Sequence, residues 1–177
     1  DLSNIEDASF YFSSQTVSLS MMGDIGNDSI SGGKGVDQLY GGDGDDVLVA
    51  RDTDARIDGG AGEDTVEFAA AVSVRNLSDS DLVGIETVVI TNKANARYDF
   101  SVQTDDLEIV GGVGQDTIIG GRGSDTIKGG DGADSLAGGA GDDTIHGGTG
   151  TDIMTGGAGR DTFSFALVDA DTVSHNK

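Results

Sequence analysis

One nine-residue pattern, G-G-x-G-x-D-x-U-x with U a bulky apolar residue, occurs nine times in this 177-residue chain. Six copies run end to end from Gly111 to Ser164: GGVGQDTII, GGRGSDTIK, GGDGADSLA, GGAGDDTIH, GGTGTDIMT and GGAGRDTFS. Three more stand at Gly32–Tyr40, Gly41–Val49 and Gly59–Glu67. A unit this short cannot enclose its own apolar side chain, so successive copies must stack and share a core. The glycines at positions one, two and four allow a tight turn that aims carbonyl oxygens at one point, and the Asp at position six adds a carboxylate. The last three residues form a short strand whose middle side chain points inward while its neighbours point out. The expected inward residues are Ile30, Leu39, Leu48, Ile57 and Val66, then Ile118, Ile127, Leu136, Ile145, Met154 and Phe163.

Two nonapeptides make one coil, so loops two repeats apart become neighbours about 4.8 Å apart. Clustered carbonyls and carboxylates are the ligands preferred by Ca2+, which takes six to eight oxygens at about 2.3–2.6 Å. The expected ligand residues are Asp28, Asp37, Asp46, Asp64, Asp116, Asp125, Asp134, Asp143, Asp152 and Asp161, with the leading glycines Gly32, Gly41, Gly59, Gly111, Gly120, Gly129, Gly138, Gly147 and Gly156. Stacking pairs Asp28 with Asp46, Asp46 with Asp64, Asp116 with Asp134, Asp125 with Asp143, Asp134 with Asp152 and Asp143 with Asp161. About six ions or more are expected between such pairs. Asp37 faces Ala55 in the degenerate copy ARDTDARID, and neither Asp52 nor Asp54 is expected to fill that gap. One inward apolar residue per nine does not offset the ordering of the chain, so folding is expected to require the metal.

The spacing divides the chain into entering strands over 1–22, a first block over 23–67 that opens on the degenerate copy GDIGNDSIS, a middle region over 68–110, a second block over 111–164 and a tail over 165–177. The middle region lacks the repeat but keeps β-type runs at Val72–Val74, Glu86–Ile90, Tyr98–Val102 and Leu107–Val110, which read as solenoid coils without bound ions. The spacing of β-branched residues argues against a flexible linker there. Phe10–Phe12 and Val17–Met21 look like similar strands, and Phe163 with Phe165 is expected to plug the last coil or meet a following segment.

The nonapeptide resembles the RTX (repeats-in-toxin) family. The resemblance implies an all-β, right-handed parallel β-roll with calcium between turns, and a protein exported unfolded from Gram-negative bacteria by a one-step (type I) channel. It would then fold outside the cell, with weak calcium affinity of roughly 10⁻⁴–10⁻³ M. The module occurs in toxins, proteases, lipases, epimerases, adhesins and surface-layer proteins. Leu82–Ile90 looks like the coils that accompany such repeats in surface-layer and adhesin-like proteins, which points to a secreted structural segment that assembles with itself or meets cell-surface polysaccharide. The alternative is the secretion and folding module of an exoenzyme or toxin.

Composition bears on partners. The net charge of −22 argues against nucleic acid and anionic membranes as partners, and the 30 glycines, with no Pro, Cys or Trp, leave little material for a thick core. Absence of Cys removes disulfides and thiolate metal sites. No apolar run approaches the roughly 20 residues that span a bilayer. Asp1 does not begin a signal peptide, and the segment is expected to lie inside a longer protein.

Other motifs carry little. His146 and His175, without H-E-x-x-H, make no zinc site. The regular aspartates belong to the calcium pattern and leave no pair for glycoside chemistry, and no phosphate loop occurs, so no enzymatic activity is expected. Asp52-Thr53-Asp54 starts like an EF-hand loop, but Arg56 stands where a third ligand belongs. The sequons Asn27-Asp28-Ser29 and Asn76-Leu77-Ser78 are chance-level matches, and the Thr126, Thr144 and Thr162 ladder reads as an ordinary exposed strand face.

Overall fold

The structure is a computed structural model that describes residues 7–12, 14–51, 53–68, 77–91, 95–165 and 172–174. Among these there are eighteen strands and no helix. The expected run at Val72–Val74, and Asp52, Asn76 and His175, lie outside the described residues. The chain divides into two units, Asp1–Ala69 with Ser80–Val88, and Ala70–Asp79 with Val89–Lys177.

In the first unit, β1 (Ser9–Tyr11), β3 (Ser29–Ser31), β5 (Val47–Ala50) and β7 (Thr65–Phe68) pair in parallel. The strands β2 (Ser20–Ile25), β4 (Gln38–Asp43), β6 (Arg56–Ala61) and β8 (Leu82–Val83) form the other face in the same way. Consecutive strands lie on alternating faces, which is the winding of a parallel β-solenoid. The register steps by eighteen residues where the repeat is intact: Ile30 meets Leu48, Leu48 meets Val66, and Leu39 meets Ile57. Each of these side chains is fully or nearly fully buried.

The strand β9 (Thr87–Ile90) follows β8 in sequence at the boundary between the units. In the second unit, β11 (Glu108–Val110), β13 (Thr126–Asp131), β15 (Thr144–Thr149) and β17 (Thr162–Ser164) make one parallel face. The other consists of β10 (Arg97–Asp99), β12 (Thr117–Ile119), β14 (Ser135–Ala140), β16 (Ile153–Ala158) and β18 (Thr172–Ser174). Ile109, Ile127 and Ile145 stack on one side and Tyr98, Ile118, Leu136 and Met154 on the other, all buried. Phe163 continues the first stack but is only half-buried, and Phe165 stays 49% exposed.

Several strands are longer than the expected three residues. Gln38–Asp43 and its counterparts continue through the glycine pair of the next repeat, so the ladder pairs Gly42 with Gly60 and Gly130 with Gly148. The second glycine must be Gly for two reasons. Gly42 has φ +129°, a left-handed conformation, and a Cβ there would collide with the Asp24 carbonyl of the preceding coil.

Candidate metal centres between coils

Each repeat Asp lies between a glycine turn and a strand, which folds its side chain back into the turn. Asp28, Asp37, Asp46, Asp64, Asp116, Asp125, Asp134, Asp143 and Asp152 are buried, and Asp161 is half-buried. One carboxylate oxygen has a constant role. The backbone N–H of Asp28 donates to Asp46 Oδ1 (2.7 Å), Asp46 to Asp64 (2.8 Å), Asp116 to Asp134 (2.8 Å), Asp125 to Asp143 (2.9 Å), Asp134 to Asp152 (2.8 Å) and Asp143 to Asp161 (3.2 Å). Where a non-repeat coil precedes, Ala8, Leu19, Ala96 and Leu107 donate instead, to Asp28, Asp37, Asp116 and Asp125. The six pairs read from the spacing are therefore brought together.

The second oxygen behaves differently. Oδ2 of Asp37, Asp46, Asp64, Asp116, Asp134 and Asp143 is buried and accepts no hydrogen bond. A buried acceptor left in this state costs roughly 1–3 kcal/mol, more when charged, so it calls for a physical cause. Its surroundings supply one. A Cβ added to Gly41 would collide both with Asp46 Oδ2 and with the Gly59 carbonyl oxygen of the next coil. The same pairing of carboxylate and next-coil carbonyl borders Gly23 (Asp28, Gly41), Gly59 (Asp64, Gly84), Gly120 (Asp125, Gly138), Gly129 (Asp134, Gly147) and Gly138 (Asp143, Gly156). At Gly111 the Gly129 carbonyl stands in that place, while Gly32, Gly147 and Gly156 face the carboxylates of Asp37, Asp152 and Asp161. Two sites differ in that Oδ2 is already engaged: Asp28 accepts from the Asp24 N–H (3.1 Å) and Asp125 from the Gly121 N–H (2.6 Å).

The electrostatics agree with this geometry. Burial pushes the carboxyls of Asp64, Asp125 and Asp134 up to about 6; donated backbone N–H groups oppose the rise, and stacked carboxylates add to it. Asp46 and Asp143 are raised for the same reasons. These sites hold negative charge at a cost, and a cation among the oxygens reverses that sign.

The degenerate copy departs from expectation. Asp37 meets Asp54, not a vacancy at Ala55: the Asp37 N–H donates to Asp54 Oδ1 (3.1 Å), while Ala55 is exposed and donates its N–H to the Asp37 carbonyl (2.7 Å). Ala55 is bulged out, so the carboxylate one residue earlier takes the stacking role. It does not copy the other oxygen, because Asp54 Oδ2 accepts from the Arg51 N–H (2.8 Å). Arg51 also donates its Nε to the carbonyl of Gly33, in the turn that carries Asp37. A guanidinium thus stands against a glycine turn of this rung.

Position five holds a further ladder that the repeat pattern conceals under an unrestricted letter. Asn27 Oδ1 accepts from the Asp45 N–H and Asp45 Oδ1 from the Glu63 N–H. Asp106, Ser124 and Asp142 do the same for Ser124, Asp142 and Arg160. The only sequence signal is the recurrence of short polar side chains there.

Among the described residues no three His, Cys, Asp or Glu side chains converge on one point. A cation in these turns would therefore draw on carbonyl oxygens beside one or two carboxylates. That donor set is all hard oxygen, which fits calcium and disfavours thiophilic or imidazole-seeking metals.

The fold and the turns together define a parallel β-solenoid whose loops form oxygen-lined cation sites. The model of the RTX calcium-binding nonapeptide repeat, present in four copies, matches residues 22–54, 56–70, 110–145 and 128–163, more than half of the chain. The protein belongs to this family, and its calcium-binding repeats form a β-roll. Comparison with curated proteins gives no match. No helix of the described residues is long and apolar enough to cross a membrane.

Proposed function

We propose that this chain is a calcium-folded structural segment of a secreted bacterial cell-surface protein of surface-layer or adhesin type. One ion lies between each of the pairs Asp28 and Asp46, Asp46 and Asp64, Asp116 and Asp134, Asp125 and Asp143, Asp134 and Asp152, and Asp143 and Asp161. The leading glycines contribute carbonyl oxygens. The observation that carries this reading is the buried, unpaired Oδ2 that shares a cradle with a glycine carbonyl of the next coil. The Asp37 rung is left out, because the Arg51 guanidinium stands against its glycine turn. The chain performs no reaction of its own in this reading, since its regular carboxylates are occupied in stacking.

Calcium binding to sites absent from the unfolded chain contributes folding free energy directly, so synthesis in low calcium would leave the chain unfolded and export would precede folding. The test is far-ultraviolet circular dichroism of the purified chain in millimolar calcium and in chelator. A β-sheet spectrum only with calcium is expected; the same spectrum in both sinks the reading. Electron microscopy of the calcium-loaded protein tests the surface role, with ordered sheets expected and dispersed monomers counting against it.

A further inference from the structure

The first repeat block ends on a coil that the nonapeptide pattern does not describe, yet the cradle continues into it. Asp64 is completely buried, and its Oδ2 has no hydrogen-bond partner. The space it faces, at Gly59, is bordered on the other side by the carbonyl oxygen of Gly84. Glu86 takes the stacking role that Asp46 and Asp64 play lower down: the Asp64 N–H donates to Glu86 Oε2 at 2.7 Å, as Asp28 does to Asp46 (2.7 Å) and Asp46 to Asp64 (2.8 Å). The N–H of Thr87 donates to the Asp64 carbonyl (3.0 Å), as that of Thr65 does to the Asp46 carbonyl (2.8 Å).

The turn here is three residues shorter, since Gly84-Ile85-Glu86 replaces the six residues that run from the leading glycine to the Asp. Two features restore the geometry. Gly84 adopts φ +53°, a left-handed conformation that turns the chain at once, and Glu86 has one methylene more than Asp, which extends its carboxylate back to the rung below.

We infer that Asp64 Oδ2, the Gly84 carbonyl and the Glu86 carboxylate hold one further calcium ion, between the last repeat of the first block and a coil outside the repeat. This rests on the reading that the repeat turns hold calcium. The short turn lacks the second and fourth glycines and their carbonyls, so water fills more of the coordination shell and the ion is bound more weakly than those between repeats. Glu86 thereby closes the first block with a metal where the repeat pattern alone gives Asp64 no partner above it.

The test counts calcium bound to the full chain at saturation, with circular dichroism on the same samples. Seven ions are expected for the wild type and six for Glu86→Gln, which keeps an acceptor for the Asp64 N–H but removes the charge. Terbium used as a probe should show one site with more coordinated water in the wild type, from lifetimes in H2O and D2O, and that site should vanish in the variant. A wild-type count of six overturns the inference while leaving the inter-repeat ions standing, and a count of zero removes both. Seven ions in both proteins, with unchanged stepwise affinities, also overturns it. Should Glu86→Gln fail to fold in calcium, Glu86→Asp takes its place: it keeps the charge and retracts it by a methylene, and the weakest site should lose about tenfold in affinity, or about 1.4 kcal/mol. No change in that site overturns the assignment.

Discussion

Replacing Asp134 by Asn should act with opposite signs in the presence and absence of calcium. In the native chain Asp134 Oδ1 accepts the Asp116 N–H at 2.8 Å, while Oδ2 is buried without a partner in a cradle that the Gly147 carbonyl also borders. The amide oxygen of Asn can keep the first bond, and its NH2 presents a donor to a space lined by an acceptor. The metal-free chain therefore loses a buried charge and an orphaned oxygen together, and its residual β structure should rise. With calcium, on the proposed pairing, the same change removes a charged ligand from two ions, those shared with Asp116 and Asp152. Contacts to charged groups contribute roughly 1.5–3 kcal/mol each, so the loss is about 3–6 kcal/mol over the two sites. Asp161→Asn touches one ion and should lose about half of that. At about 1.4 kcal/mol per tenfold, each affected site weakens by about ten- to a hundredfold. Calcium titrations followed by circular dichroism read both effects. Equal midpoint shifts for the two variants, or a metal-free Asp134→Asn chain less folded than the wild type, would refute the two-rung role of the carboxylate.

Acidification should partly replace calcium. Asp64, Asp125 and Asp134 titrate near 6 in the fold against 3.8 for an ordinary Asp, so the folded metal-free chain binds protons more tightly than the unfolded one. The resulting stabilisation is complete below pH about 3.8 and lost as pH rises through about 6, so β content in chelator should grow between pH 7 and 4. In calcium the proton competes with the ion, and the midpoint calcium concentration should rise below pH about 6. Ile145→Ala, at a fully buried position, should lower stability in calcium by about 2–5 kcal/mol, whereas Ile153→Ala, 56% exposed, should change it by less than about 0.5 kcal/mol in thermal melts. Gly44→Ala should abolish calcium-induced folding of the first block, because Gly44 sits at φ +132° with the Gly26 carbonyl where a Cβ would go; a native melting curve would contradict the backbone account.

The inward positions were legible because the period is short and fixed. Ile30, Leu48 and Val66 stand eighteen residues apart in sequence and meet in register. The same arithmetic paired the aspartates, since coil length alone decides which carboxylate lies over which N–H. Legibility failed wherever coil length changes. Asp54 replaces the expected carboxylate at Ala55 because a bulge moves the stacking place by one residue, and a fixed count cannot see a bulge. Glu86 was hidden for the same reason: its coil places it twenty-two residues after Asp64, and its extra methylene matters only once the turn is known to be short. Arg51 stands where the pattern has its second glycine, and nothing in a repeat count shows that its Nε reaches the carbonyl of Gly33.

The division of labour within the carboxylates of Asp46, Asp64, Asp116, Asp134 and Asp143 supplies a physical reason why the proposed calcium would be coupled to the fold. Oδ1 alone would make a stacking bond of the kind any neutral acceptor could supply, and the protein would have no reason to bury a charge. Oδ2 gives that reason only if a cation is present, because without one it stands unpaired beside a carbonyl dipole of the same sign. Each interior Asp also belongs to two successive rungs, so an ion that orders one rung fixes the carboxylate offered to the next. On the proposed occupancy, binding along a block would be a nearest-neighbour chain, in which the terminal rungs, having one ordered neighbour, would be the first to open. A residue such as Glu86, which gives the last Asp of the first block a second partner, stabilises the block at the place where a linear array is weakest.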